Sequence, residues 1–249
     1  MTKNNNMIEA IKIRKSVRVY SDESPSLEAE NQINQILDQR IETPFGNYPR
    51  FKLISFKDSK SEDLKGLGTY GMIKNCKSYI VGLIKDNKCN LEDFGYAFEK
   101  IILELTNMNL GTCWLGGTFT KSSFAEKSGA LDSEIIPAVV ALGNASEKSS
   151  IADKIIKLSA GSHKRKPWKE IFFNQSFKHP IEKEVATEWK IPLKMVRMAP
   201  SASNKQPWRV VIDQDKQQFH FFLQHSKSYR KMGRFLKLAD LQHIDVGIA

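Results

Sequence analysis

The sequence predicts an α+β sandwich. Short apolar strand signals alternate with amphipathic helical segments along most of the 249 residues, and glycine-rich crossovers between them are few. Apolar residues make up 41% of the chain, and Phe, Trp and Tyr 10%, which is enough to bury a real core and excludes intrinsic disorder. At roughly 150 residues per domain, the length allows one large domain or two modest ones.

The elements follow in order. Met7 to Lys15 carries Met7, Ile8, Ile11 and Ile13, a short helix presenting a basic end. Ser26 after Pro25 is placed to cap a second helix whose inner face is Leu27, Ile33, Ile36 and Leu37. Thr43-Pro44-Phe45-Gly46-Asn47 breaks that helix, and Phe51 to Phe56 alternates like a strand. Ser78 to Ile84 is a second strand. Phe94 to Met108 is the strongest helix, with Phe94, Ala97, Phe98, Ile101, Ile102 and Leu105 at helical spacing. Pro137 to Leu142 is a short buried strand closed by Gly143-Asn144. Ser150 to Gln175 is polar and basic, an excursion between two halves. Beyond it, Ile181 to Met198 reads as helix interrupted near Pro192, Arg209 to Ile212 as strand, and Gln218 to Leu223 as its hairpin partner.

Two anchors recur in the halves. Thr43-Pro44-Phe45-Gly46-Asn47 leading into Phe51-Lys52-Leu53-Ile54 parallels Ala199-Pro200-Ser201-Ala202-Ser203-Asn204 leading into Trp208-Arg209-Val210-Val211. Later, Asp93-Phe94-Gly95-Tyr96-Ala97 matches Asp245-Val246-Gly247-Ile248-Ala249. The expected organisation is a duplicated unit, with residues 1–175 as the first half and 176–249 as a second, incomplete half.

Composition removes several function classes. The charge is +10, from 38 Lys+Arg against 28 Asp+Glu, and the pI is near 9.4, which invites a nucleic-acid reading. The cations are spread along the chain, however, with one dense cluster at His163-Lys164-Arg165-Lys166 and no helix-turn-helix, RNP or zinc-finger pattern. A soluble surface with a pocket for a small anion is the better expectation, and no nucleic-acid partner. Apolar runs such as Ile135 to Leu142 fall far short of the ~20 residues a membrane span takes. The polar N-terminus has no secretory apolar region. Cys76, Cys89 and Cys113 are widely spaced with no CxxC, so a reducing cytoplasm is expected and neither disulfides nor zinc. The five histidines are scattered without metal-ligand spacing, and G-x-G-x-x-G does not occur.

Three stretches can carry chemistry. Arg14-Lys15-Ser16-Val17-Arg18 puts three cations and a hydroxyl within five residues at a helix end, suited to a phosphate monoester; a solvated basic helix end is the plainer alternative. His163-Lys164-Arg165-Lys166-Pro167 is a second phosphate candidate with the same alternative. Ala199-Pro200-Ser201-Ala202-Ser203-Asn204-Lys205-Gln206-Pro207-Trp208 is the most specific. Its prolines stiffen a loop whose backbone and amides can address the edge of a flat heterocycle, while small side chains let the ring approach. Cys113, beside Trp114 in an apolar segment, reads as a buried structural thiol.

Together, Arg14 to Arg18, the Ala199 to Trp208 loop, and Asn109-Leu110-Gly111-Thr112-Cys113-Trp114-Leu115-Gly116-Gly117 resemble the motifs of the flavin-dependent nitroreductases. The likeness covers nearly the whole chain. It implies an FMN-binding α+β fold of internally duplicated halves, with antiparallel and mixed sheets flanked by helices. It implies reduction of nitroaromatics, quinones or similar small-molecule acceptors with NAD(P)H, by hydride transfer through flavin N5. Carried over residue by residue, Arg14, Lys15, Ser16 and Arg18 would hold the phosphate and ribityl chain, and Arg165 would join them. Leu115, Gly116 and Gly117 would sit by the flavin near N5, and Pro200, Ser201, Ala202 and Asn204 would line the ring. No side-chain acid or base is named, because the chemistry is the cofactor's. In ordinary members the Pro-Ser-x-x-Asn loop follows the first helices; here that place holds Pro44-Phe45-Gly46-Asn47, and the second half has no Arg-x-Ser-x-Arg. One composite site is therefore expected, in a monomer with one FMN, as in the subfamily whose single chain imitates the usual homodimer. A flavin-binding store or sensor without turnover is the alternative.

Overall fold

The computed structural model describes residues 3–56, 73–117, 119–146, 164–183, 187–213, 217–227, 229 and 240–249. The chain divides into two compact units, Met1–Ile156 and Lys157–Ala249, each with its own apolar cluster.

In the first unit, α1 (Lys3–Ile13) and α2 (Leu27–Leu37) precede β1 (Arg50–Ser55) and β2 (Ser78–Lys85). The long α3 (Asn90–Asn107) follows, then β3 (Gly111–Leu115), α4 (Lys121–Ser128), β4 (Glu134–Ile135) and β5 (Val139–Gly143). Ser26 caps α2 as its sequence position suggests, accepting the Ala29 N–H at 3.2 Å. The inner face of α2 is narrower than the periodicity suggests: Ile33 and Leu37 are buried, but Leu27, at the start of the first turn, is 75% exposed. In α1 the buried anchor is Ala10, and Ile13 is exposed at the end of the helix.

The sheet order is β1-β2-β5-β3, all antiparallel, with β4 also pairing with β2. Flanked on both edges, β2 is buried along all but its last residue, whereas β1 on the edge buries only Phe51 and Ile54. Phe51 of β1 pairs with Gly82 of β2, and α3 lies against that point. A Cβ at Gly82 would come within 2.5 Å of the Phe94 ring, so only glycine lets the helix approach this closely. The strand expected over Pro137 to Leu142 begins at Val139, since Pro137 has no N–H to give a ladder.

The second unit runs α5 (Trp168–Ile171), β6 (Phe172–Asn174), a 3₁₀ turn at Thr187–Trp189, and α6 (Lys190–Met198). A 3₁₀ turn at Ala202–Asn204 leads to β7 (Trp208–Asp213), β8 (Gln218–Leu223) and α7 (Gln242–Ile248). The hairpin read from sequence forms with Trp208 opposite Leu223 and Val210 opposite Phe221. Strand β6 adds in parallel beside β7, which makes this sheet mixed. Two readings are corrected. Ile181 and Glu182 are not helical, because the Ile181 N–H bonds the Phe172 carbonyl instead. Pro192 does not interrupt the helix: it lies in the first turn of α6, where an N–H has no helical partner to lose.

Candidate functional site

In the first unit, the basic segment is built by the end of α1. The Arg14 N–H closes the last turn on the Ala10 carbonyl at 2.8 Å, and the chain then leaves the helix extended. Ser16 bridges Thr112 of β3 in parallel, with the Val17 N–H donating to the Thr112 carbonyl at 2.8 Å. Gly111 makes this docking possible, since a Cβ there would stand 2.9 Å from the Val17 side chain. Val17 is thereby buried, Ser16 and Arg18 are half-buried, and Lys15 is exposed. Strand β3 runs directly into Leu115, Gly116 and Gly117, with Leu115 buried and Gly117 open. Local pairing thus brings two of the three sequence motifs together. Cys113, on β3, is buried as expected.

Arg14 is anchored from below. Its Nε stands 3.4 Å from Oε1 of Glu99 on α3, and the Trp114 Nε1–H donates to the other carboxylate oxygen at 2.8 Å. Burial pushes the Glu99 carboxyl above its ordinary pKa, while Arg14 and the Trp114 hydrogen bond pull it back. The sequence reading missed Glu99. The signal was an acid inside the most apolar helix, flanked by Phe98, Ile101 and Ile102, where an unpaired charge could not be buried.

In the second unit, the loop after α6 and the basic strip Lys164-Arg165-Lys166 form one network; His163 lies outside the described residues. Arg165 donates from Nη1 to the Asn204 side-chain carbonyl at 2.8 Å and from Nη2 to the Met198 carbonyl at 3.0 Å. Asn204 Nδ2 returns a hydrogen bond to the Lys164 carbonyl at 2.7 Å, and the Lys166 N–H donates to Gln206 Oε1 at 2.8 Å. Inside the loop, the Gln206 N–H donates to Ser201 Oγ at 2.8 Å. Burial, then the nearby Arg209 charge, holds the Lys166 ammonium below its ordinary pKa.

These bonds hold a strained backbone. Ser203, Asn204 and Gln206 all take positive φ, at 47°, 52° and 47°. Left-handed non-glycine residues cost on the order of 1–3 kcal/mol each and persist where the surroundings over-determine them. Here the Arg165 fork, the Gln206 amide and the Ser201 hydroxyl do so. What the loop leaves uncovered is small: Ala202 and Ser203 are exposed, and Pro200, Ser201 and Asn204 are half-buried. Such a surface admits a flat ring edge-on to backbone and amide groups.

Each unit therefore offers a distinct chemistry, a cationic and hydroxyl-bearing segment in the first and a rigid loop of small residues backed by cations in the second. Among the described residues no group of three or more His, Cys, Asp or Glu side chains is arranged to hold a metal ion. No helix among them is long and apolar enough to cross a membrane.

Comparisons with known proteins bear on these features. The family model described as "Putative TM nitroreductase" matches residues 6–249. Among solved structures, a "putative nitroreductase" of Thermotoga maritima MSB8 is similar at a TM-score of 0.54 and 19% identity, over 97% of this chain and 83% of that one. A nitroreductase with bound FMN from Desulfitobacterium hafniense DCB-2 aligns with a TM-score of 0.47 and 20% identity, over 60% of this chain and 93% of that one. Among curated proteins none matches.

Proposed function

Since the chain belongs to the nitroreductase family whose model spans residues 6–249, and has the nitroreductase fold, we propose that it is an FMN-dependent oxidoreductase. Its electron donor is NAD(P)H and its acceptors are nitroaromatics, quinones or similar small molecules. The observation that carries this reading is the docking of Arg14 to Arg18 on β3, which holds three cations and the Ser16 hydroxyl beside the strand that opens into Gly116-Gly117.

The donor set fits the group. Arg14, Lys15, Ser16 and Arg18 suit a phosphate monoester and a polyol chain, with cationic forks and a hydroxyl on a pinned backbone. Gly117 is exposed and Gly116 half-buried beside the apolar Leu115, where the flavin would meet backbone N–H groups of the glycines. Pro200, Ser201, Ala202 and Asn204 present the small, stiff surface that a ring system needs, and Arg165 adds charge while fixing Asn204. FMN, when bound, would supply the hydride-transfer chemistry between NAD(P)H and the acceptor. The protein's part is to bind, orient and set the charge. We further propose that the second unit is an incomplete copy of the first and that the chain works as a monomer with one FMN.

The test is the visible spectrum of protein mixed with FMN and then desalted. One equivalent of retained flavin is expected, falling in Arg18→Ala and Asn204→Ala, together with NAD(P)H oxidation when a quinone is supplied. Two equivalents would overturn the single site, and a colourless protein would overturn the cofactor assignment. Retained flavin with no NAD(P)H oxidation would make the protein a flavin carrier and refute the enzymatic reading.

A further inference from the structure

One buried acid in each unit does work that the flavin reading does not use. Asp93 is the fourth residue of α3, and Asp245 is the fourth residue of α7. Both are almost completely buried, at 0% and 4% exposure. Among the described residues no cation pairs with either, and each reaches back to the proline-bearing loop of its own unit. Asp93 Oδ1 accepts the Phe45 N–H at 2.9 Å, and its Oδ2 accepts the Asn47 N–H at 2.8 Å and Asn47 Nδ2–H at 2.9 Å. Asp245 Oδ1 accepts the Ala202 N–H at 3.0 Å.

The frame around both contacts is the same. In each unit a helix ends, a proline loop turns the chain, a strand leaves that loop and pairs antiparallel with the next, and a helix follows with the acid in its first turn. The proline loop in the first unit is short and has the bulky Phe45, which is exposed. In the second unit the loop is longer and carries the positive-φ residues Ser203, Asn204 and Gln206. Burying a carboxylate is costly without donors, so an acid kept inside at this place, in both units, must be holding something. In each case what it holds is a backbone amide of the loop.

We infer that Asp245 is a positioning residue, whose carboxyl oxygen tethers the Ala199–Trp208 loop through the Ala202 amide as Asp93 tethers the Thr43–Asn47 loop, and so sets how Ala202, Ser203 and Asn204 meet the flavin ring. The role rests on the flavin reading of that loop. The tether itself does not, because it is a contact within the unit.

The geometry supplies a variant that removes the donor alone. Ala202 is exposed, opens a 3₁₀ turn, and follows Ser201 at φ −151° and ψ 156°, the extended conformation a residue before proline favours. Ala202→Pro deletes the N–H without a clash at the preceding residue. The experiment compares wild type, Asp245→Ala, Asp245→Asn, Ala202→Pro and the Asp245→Ala/Ala202→Pro double variant. Amide hydrogen exchange of the Ala202 to Gln206 segment is read without cofactor, and FMN dissociation constants by flavin fluorescence.

Asp245→Ala is expected to speed exchange at Ala202 by about tenfold or more. Asp245→Asn, which keeps an acceptor oxygen, is expected to stay close to wild type. FMN is expected to bind about tenfold more weakly in both Asp245→Ala and Ala202→Pro, with the double variant no weaker than either single one. Unchanged exchange in Asp245→Ala, no rescue by Asp245→Asn, or full additivity in the double variant would each overturn the assignment. If Asp245→Ala does not fold, Ala202→Pro against Asp245→Asn still decides, through loop exchange and FMN affinity. Wild-type protein that takes up no FMN would refute the flavin reading instead, and the exchange rates alone would then judge the tether.

Discussion

Replacing Arg14 by methionine isolates the buried pair beneath the basic segment. The Arg14 and Glu99 side chains are 10% and 8% exposed, and Arg14 Nε stands 3.4 Å from the carboxylate. Removing one partner of a buried pair leaves an uncompensated charge and costs about 3–5 kcal/mol. The cost should fall at the lower end, about 3 kcal/mol, because the Trp114 N–H still serves Glu99 and the carboxyl can escape by taking a proton. That escape gives the loss a pH signature. Burial already raises the Glu99 pKa, and Arg14 lowers it, so losing Arg14 moves it further up. A group whose folded pKa lies above its unfolded one loses stability as pH rises, so Arg14→Met should be hurt more at pH 8 than at pH 5. Adding Glu99→Gln removes the charge while keeping an acceptor for Trp114, and should recover most of the loss. Urea titrations of the three proteins at both pH values are the assay. A loss below about 1 kcal/mol at pH 8 would refute the reasoning, as would equal losses at the two pH values or a double variant weaker than Arg14→Met.

Two further outcomes follow from geometry. Gly111→Ala would put a Cβ 2.9 Å from the Val17 side chain and should destabilise by about 1–3 kcal/mol, with Val17→Ala in the same chain recovering much of it; thermal melts check both. Burial raises the Asp245 pKa from 3.8 to about 7, against the pull of the Ala202 hydrogen bond. Between about pH 4 and 7 the folded protein therefore holds a proton that the unfolded chain has released, and this group alone makes stability fall with rising pH by up to about 1.4 kcal/mol per pH unit. Asp245→Asn should flatten that part of the stability profile, and an unchanged slope would show that Asp245 is not the titrating group.

Much of the fold was legible because its signals are local. The Ser26 cap, the periodicity of Phe94 to Leu105 and the strand signals of Arg209 to Ile212 and Gln218 to Leu223 each concern near neighbours in the chain, and each element formed. Short elements were harder. Strand β3 is five residues long and α4 eight, too brief for a period to declare itself, and their identity comes from the strands and loops they pack on. Leu27 looked like core and is exposed, because a helix's first turn can project past the surface that the rest of the helix covers. Pro192 looked like a break and is a helix start, since only its position relative to the first turn decides which.

The chain's own residues determined the kind of chemistry on offer: a cluster of cations with a hydroxyl at Arg14 to Arg18 and a rigid loop of small residues at Ala199 to Trp208. They also carried the likeness to the nitroreductases, since motif identity is a property of order along the chain. Tertiary structure decided what supports those residues. Glu99 reaches Arg14 from another helix, Arg165 fixes Asn204 from 39 positions away, and Asp245 holds Ala202 from 43 positions away. A buried charge is tolerable only beside its partner, and which partner it meets is set by how helices and loops pack, a distance that no spacing in the sequence encodes.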